Sequence, residues 1–168
     1  MSTFKMSTIM LILLALAIGL VIYLRKPEKI PAGKADALVE KIVMEETLPL
    51  HAAAQANDTQ DIKKLLADGA NANEKNKDGY TPLHVAARAG AADAIALLVK
   101  KVSDINAQGK DGDTALYYAA RSGSSEAVAI LLEHNADPSI VNKRGETARS
   151  IAKEKGYEEI VTLLDEAN

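Results

Sequence analysis

The chain has 168 residues, enough for one ordinary domain, and is 48% hydrophobic but only 4% aromatic. A net charge of −3 argues against a nucleic-acid footprint, and the absence of cysteine excludes disulfides, thiolate zinc sites, iron–sulfur clusters and cysteine nucleophiles. A core drawn from Ala, Leu, Ile and Val suits close helix packing better than a β-sandwich. The charges are unevenly spread: no Asp or Glu precedes Glu28, and Lys5 is the only basic residue before Arg25.

Taken in chain order, residues 1–5 are a short tail and residues 6–24 an uncharged run of 19 residues with ten Leu or Ile. As a helix the run would span about 28 Å, close to the roughly 30 Å hydrocarbon core of a bilayer. Tyr23 suits the interface at one end, and Arg25 and Lys26 close the run. The competing reading is a cleaved signal peptide, whose apolar part is shorter and is followed promptly by a small-x-small site. Here Ala15-Leu16-Ala17 lies inside the run and Ala35-Asp36-Ala37 lies well beyond it, so an uncleaved transmembrane anchor is preferred. Lys5 precedes the run, whereas Arg25, Lys26, Lys29 and Lys34 come after it, a bias that puts the carboxyl-terminal part in the cytoplasm. A periplasmic or otherwise extracytoplasmic location is the alternative. Ala15 and Gly19 form one small-xxx-small pair, a weak route to a homodimer.

Residues 25–33, with Pro27 and Pro31, read as a stiff connector that reaches at most about 30 Å. In residues 34–46, Leu38 with Ile42 and Val39 with Val43 give an apolar stripe at helical spacing, expected to be a helix that caps residues 47–168. Those residues repeat with a period of 33. Thr81, Thr114 and Thr147 obey it, as do Gly79, Gly112 and Gly145. So do Gly90, Gly123 and Gly156, with Asn57 in register, and Leu65, Leu98, Leu131 and Leu164. The units run over about 47–76, 77–109, 110–142 and 143–168.

Each unit has a physical reading. Asp78-Gly79 marks a tight turn, Thr81 an N-cap and Pro82 the first helical position, where a missing N–H does no harm. A short helix through Leu83, Ala86 and Ala87 ends at Gly90, and a second runs through Ile95 and Leu98. At the end of the stack the positions of Leu83 and Ala87 become Arg149 and Lys153, a polar outer face for a unit with no neighbour. Val102 falls where Gly69 ends the equivalent helix. A β-branched residue disfavours positive φ, so that terminus is expected to be strained or reshaped.

Thr81-Pro82-Leu83-His84-Val85-Ala86-Ala87 resembles the ankyrin repeat; Leu48-Pro49-Leu50-His51, Thr114-Ala115-Leu116-Tyr117 and Thr147-Ala148 are progressively looser matches. The resemblance implies an all-α solenoid: about four helix pairs with β-turn fingers, here preceded by one transmembrane helix. It also implies that His51 and His84 are structural, bonding nearby turn backbone. His134, near a helix C-terminus, reads as a partner of the helix dipole.

No phosphate loop, nucleophile elbow or His-Glu-x-x-His zinc motif occurs, so no enzyme activity, cofactor, metal or small-molecule substrate is expected. Asn57-Asp58-Thr59 matches a glycosylation acceptor, relevant only in a lumenal eukaryotic setting. The resemblance implies a protein partner bound by finger tips and by the exposed edge of the first helices. The finger candidates are Lys77, Asp78, Tyr80, Lys110, Asp111, Asp113, Lys143, Arg144 and Glu146, and those on the first helices are Arg88, Tyr118, Arg121 and Ser122. Tyr80, Tyr118, Arg88 and Arg121 are the preferred anchors, because interface hot spots favour Tyr and Arg; the alternative for Tyr118 is packing between repeats. The expected function is a membrane-anchored binding module, an adaptor or inhibitor. The alternatives are a periplasmic immunity- or stress-type inhibitor of an envelope enzyme and a structural membrane homodimer.

Overall fold

A computed structural model describes residues 48–167. The tail, the apolar run of residues 6–24, the connector and the capping segment lie outside the described residues. Among the described residues no helix is long and apolar enough to cross a membrane.

Those residues form eight α-helices and no strand: α1 (Pro49–Gln55), α2 (Thr59–Ala67), α3 (Pro82–Ala89), α4 (Ala92–Leu98), α5 (Ala115–Ser122), α6 (Ser125–Glu133), α7 (Ala148–Lys155) and α8 (Glu158–Glu166). They pair as α1/α2, α3/α4, α5/α6 and α7/α8. The first helices α1, α3, α5 and α7 pack side by side in one layer, and the second helices α2, α4, α6 and α8 in another. Small residues set the closeness of the first layer. Ala54, Ala87 and Ala120 are fully buried, and Leu50, Leu83 and Leu116 fill the space between neighbours. Ile62, Ile95, Val128, Leu98, Leu131 and Leu164 are also fully buried between the layers. Each such Leu, Ile or Val contributes roughly 1.5–3 kcal/mol relative to an exposed side chain. In the last pair Val161 is only partly buried, and Ile160 occupies the interior instead.

Local chemistry sets the helix ends. Thr81, Thr114 and Thr147 are N-caps with extended backbone. Thr114 Oγ1 accepts from the Tyr117 N–H at 3.2 Å and Thr147 Oγ1 from the Ser150 N–H at 3.1 Å. Leu48 holds this position before α1 and offers no side-chain cap. The first helices turn into the second through left-handed residues in register: Asn57 (φ 55), Gly90 (67), Gly123 (79) and Gly156 (75). Asn tolerates this conformation because its side chain bonds locally, and Asn57 uses its own across the stack. Its Oδ1 accepts from the Ala94 N–H at 2.9 Å, and its Nδ2 donates to Asp93 Oδ2 at 3.1 Å.

The second helices end differently. α2 and α6 run into left-handed Gly69 (φ 91) and Asn135 (φ 65), whereas Val102 has no positive φ. There α4 stops at Leu98, and the Lys101 and Val102 N–H groups both donate to the Leu98 carbonyl, at 2.9 and 3.1 Å. The terminus is reshaped, as Val102 requires. At the end of the stack Arg149 forms a two-pronged ion pair with Asp165, and Lys153 is exposed.

Three fingers precede α3, α5 and α7. In each, the first residue donates to the carbonyl four residues on: Asn76 to Tyr80 at 2.9 Å, Gly109 to Asp113 at 3.0 Å and Asn142 to Glu146 at 2.9 Å. Neighbouring fingers are joined by the Lys110 N–H donating to the Asp78 carbonyl (3.3 Å) and the Lys143 N–H donating to that of Asp111 (2.9 Å).

Candidate functional site

The face formed by the fingers and the first helices separates the thirteen candidate residues into two groups. Lys77, Asp78, Lys110, Asp111 and Lys143 sit at finger tips and are exposed. Arg88 and Arg121 are exposed in the last turns of α3 and α5. Together with Tyr118 and Ser122 they line a groove of about 320 Å³ between the two helices. The Ser122 hydroxyl is occupied, lying 2.9 Å from the Ala119 carbonyl and 3.2 Å from that of Ala87 in the preceding repeat.

Tyr80, Asp113, Tyr118, Arg144 and Glu146 belong to one polar network between neighbouring repeats, running from the buried Asp113 out to the half-exposed Arg144. Asp113 is 1% exposed, so it is not a finger-tip contact. Its Oδ2 accepts from the Tyr118 hydroxyl at 3.0 Å, and its Oδ1 accepts from Asn142 Nδ2 at 2.7 Å and from Arg144 Nη2 at 3.4 Å. Tyr118 is 6% exposed and packs between repeats; its hydroxyl lies 2.9 Å from that of Tyr80. Tyr80 is half-buried, edge-on to Tyr118, with its ring lying so close over Gly109 that any Cβ there would collide with it. Neither tyrosine is the free anchor that hot-spot composition suggested. Burial, reinforced by hydrogen bonding to Tyr80 and Asp113, holds the Tyr118 phenol well above its ordinary value, so it stays protonated as the donor.

Arg144 and Glu146 are likewise committed. Arg144 Nε donates to Glu146 Oε2 at 2.8 Å and its Nη2 to the Tyr117 hydroxyl at 2.9 Å. Tyr117 in turn donates to Glu146 Oε2 at 2.7 Å. Hydrogen bonds from Asn142, Tyr117 and Arg144 hold the Glu146 carboxyl down at about 2. Tyr117 and Asn142 have no place among the thirteen candidates, yet they join this network. The signal for Asn142 is its register with Asn76 two turn-openings earlier, at 33-residue steps through Gly109.

The histidines complete the junction between fingers and helices. His84 Nε2 donates to the Asp113 carbonyl at 3.2 Å, and its Nδ1 accepts from the Thr81 hydroxyl at 2.8 Å and the Thr81 N–H at 3.2 Å. His51 Nε2 donates to the Tyr80 carbonyl at 2.8 Å, but its buried Nδ1 has no partner, because Leu48 lacks the hydroxyl that Thr81 supplies. His134 Nδ1 donates to the Ile130 carbonyl at 2.9 Å, near the end of α6. All three are engaged with backbone carbonyls.

A family model described as ankyrin repeats (3 copies) matches residues 13–109, 50–142 and 101–168. The chain belongs to the ankyrin-repeat family. No curated protein matches it. As ankyrin repeats, residues 48–167 are a protein–protein interaction module.

The ankyrin histidines predict a pH response. Burial lowers both His51 and His84 from the ordinary 6.5, so the folded repeats bind fewer protons than the unfolded chain just below that value. Their contribution to stability is complete above the unfolded value and is lost as pH falls from there through the folded-state value. Urea midpoints at about pH 7.5 and about pH 5 check this. A lower midpoint at the acid end is expected, with a smaller drop in His84→Gln; a pH-independent midpoint would contradict the assignment.

Proposed function

We propose that the protein is a non-catalytic, membrane-anchored ankyrin module that holds one protein partner close to the bilayer, as an adaptor or as an inhibitor of that partner. The observation that carries the binding part is the finger face. It presents a groove lined by two exposed arginines that make no ion pair with any described residue. The anchoring part rests on the sequence of residues 6–24, an uncharged run of bilayer length with four basic residues in the ten positions after it. The tether of nine residues after the anchor reaches at most about 30 Å, which keeps the repeats near the bilayer. A partner in the same membrane then meets the groove at high effective concentration.

Membrane fractionation with alkaline extraction tests the anchor. The full chain is expected to stay in the membrane pellet, and a chain lacking residues 6–24 to be released; recovery of the full chain in the alkaline supernatant would refute it. Chemical cross-linking and co-purification test the face. Arg88→Ala with Arg121→Ala should lower partner recovery without changing the thermal midpoint, and unchanged recovery would exclude this face.

A further inference from the structure

We infer that the groove between α3 and α5 grips an acidic peptide segment of the partner through its carboxylates, with Arg88 and Arg121 as the two clamps. The inference rests on the reading of the finger face as a protein-binding surface and adds the chemistry of what binds there.

The four arginines among the described residues divide cleanly. Arg144 and Arg149 are hydrogen-bonded to carboxylates within the fold, whereas Arg88 and Arg121 have no side-chain hydrogen bond and no ion pair. The unpaired two stand 33 positions apart in the same turn of adjacent first helices, and both open onto the same groove. The last turn of a helix favours a cation, but that interaction leaves the guanidinium N–H groups unfilled. The other groove residues cannot supply a donor: the Ser122 hydroxyl is engaged with backbone carbonyls and the Tyr118 hydroxyl with Asp113. A ligand therefore meets two planar forks and a tyrosine ring, with no acidic side chain in the lining. Guanidinium forks match carboxylates in two-point hydrogen bonds.

The wider face supports the same choice. Lys77, Lys110 and Lys143 form a row of exposed cations at the finger tips, again at 33-residue spacing, and none is ion-paired. Asp78 and Asp111 directly follow Lys77 and Lys110 at the same tips and are exposed as well. That alternation repels a continuous polyanion and accepts separate carboxylates placed to meet the cations. First helices pack about 8–10 Å apart. Carboxylates three residues apart in a polyproline II segment lie on one side, about 9 Å apart at roughly 3.1 Å per residue, and match that step.

The test uses the full chain in detergent micelles with fluorescein-labelled twelve-residue peptides read by anisotropy. One peptide carries Glu at every third position in a Gly/Ser background, and the others carry Gln or Lys there. A single-stranded oligonucleotide of similar length is the polyanion control. The Glu peptide is expected to bind at least about tenfold tighter than the Gln peptide, with affinity falling as salt rises. Arg88→Glu with Arg121→Glu should abolish that preference and leave the thermal midpoint unchanged. Equal binding of Glu and Gln peptides, an unaffected double variant, or equally tight oligonucleotide binding would each overturn the inference. Photo-cross-linking from position 122 in cells separates the two levels. A captured segment without carboxylates overturns the acidic chemistry but keeps the binding face, and no adduct from this face overturns both.

Discussion

Asp113→Ala is expected to destabilise the repeat domain by about 2–4 kcal/mol, among the largest losses for any single polar side chain here. The carboxylate is 1% exposed and accepts from Tyr118, Asn142 and Arg144, so three donors from two repeats converge on it. Removing it strands the Asn142 amide and the Tyr118 hydroxyl in the interior, with only Glu146 and Tyr80 left within reach. Asp113→Asn keeps one acceptor and should lose roughly half as much. Asp111→Ala, two residues away on the exposed tip, should stay within about 0.5 kcal/mol of the parent chain. Urea unfolding monitored by circular dichroism at neutral pH measures all three. Equal losses at positions 111 and 113 would contradict the buried network.

The second large effect separates backbone conformation from space. Gly112 and Gly145 share φ 79, but their surroundings differ. A Cβ on Gly112 would stand 3.1 Å from the Lys143 backbone nitrogen and 3.3 Å from Asn142 Cα, whereas one on Gly145 would meet nothing within 4 Å. Gly145→Ala should therefore show only the left-handed penalty, about 1 kcal/mol. Gly112→Ala adds a close approach to backbone and disturbs the bond from the Lys143 N–H to the Asp111 carbonyl, for about 2–3 kcal/mol in all. Since Gly145 belongs to the last finger, the pair also shows where stacking ends. A Gly145→Ala loss as large as that of Gly112→Ala would mean the fingers do not lock to one another.

The helices and their ends were legible because their causes are local. Asp78-Gly79, Thr81-Pro82 and the left-handed series from Asn57 to Gly156 act within a few residues, and a period of 33 places each one. Even the irregular end of α4 traced to a single residue, Val102. The site was less legible because a repeat position does not fix exposure. Tyr80, Asp113 and Glu146 share one register, yet Tyr80 and Glu146 are part-buried while Asp113 is sealed in. What seals it is Asn142 and Arg144 of the next finger, together with Tyr118 from its own helix. Composition alone ranked Tyr118 beside Arg121 as an anchor. Burial separates them, leaving the two arginines as the free groups of the groove.

The partner is expected to sit on this groove face, and site-specific photo-cross-linking in the full chain locates it. A photoreactive residue is placed in turn at Ala89 and Ser122 on the groove side, and at Lys101 and Glu133, exposed positions at the ends of the second-helix layer. One discrete adduct is expected from Ala89 and from Ser122, lost on Arg88→Glu with Arg121→Glu, and none from Lys101 or Glu133. Adducts confined to the second-helix positions, or groove-side adducts that survive the charge reversal, would contradict that placement.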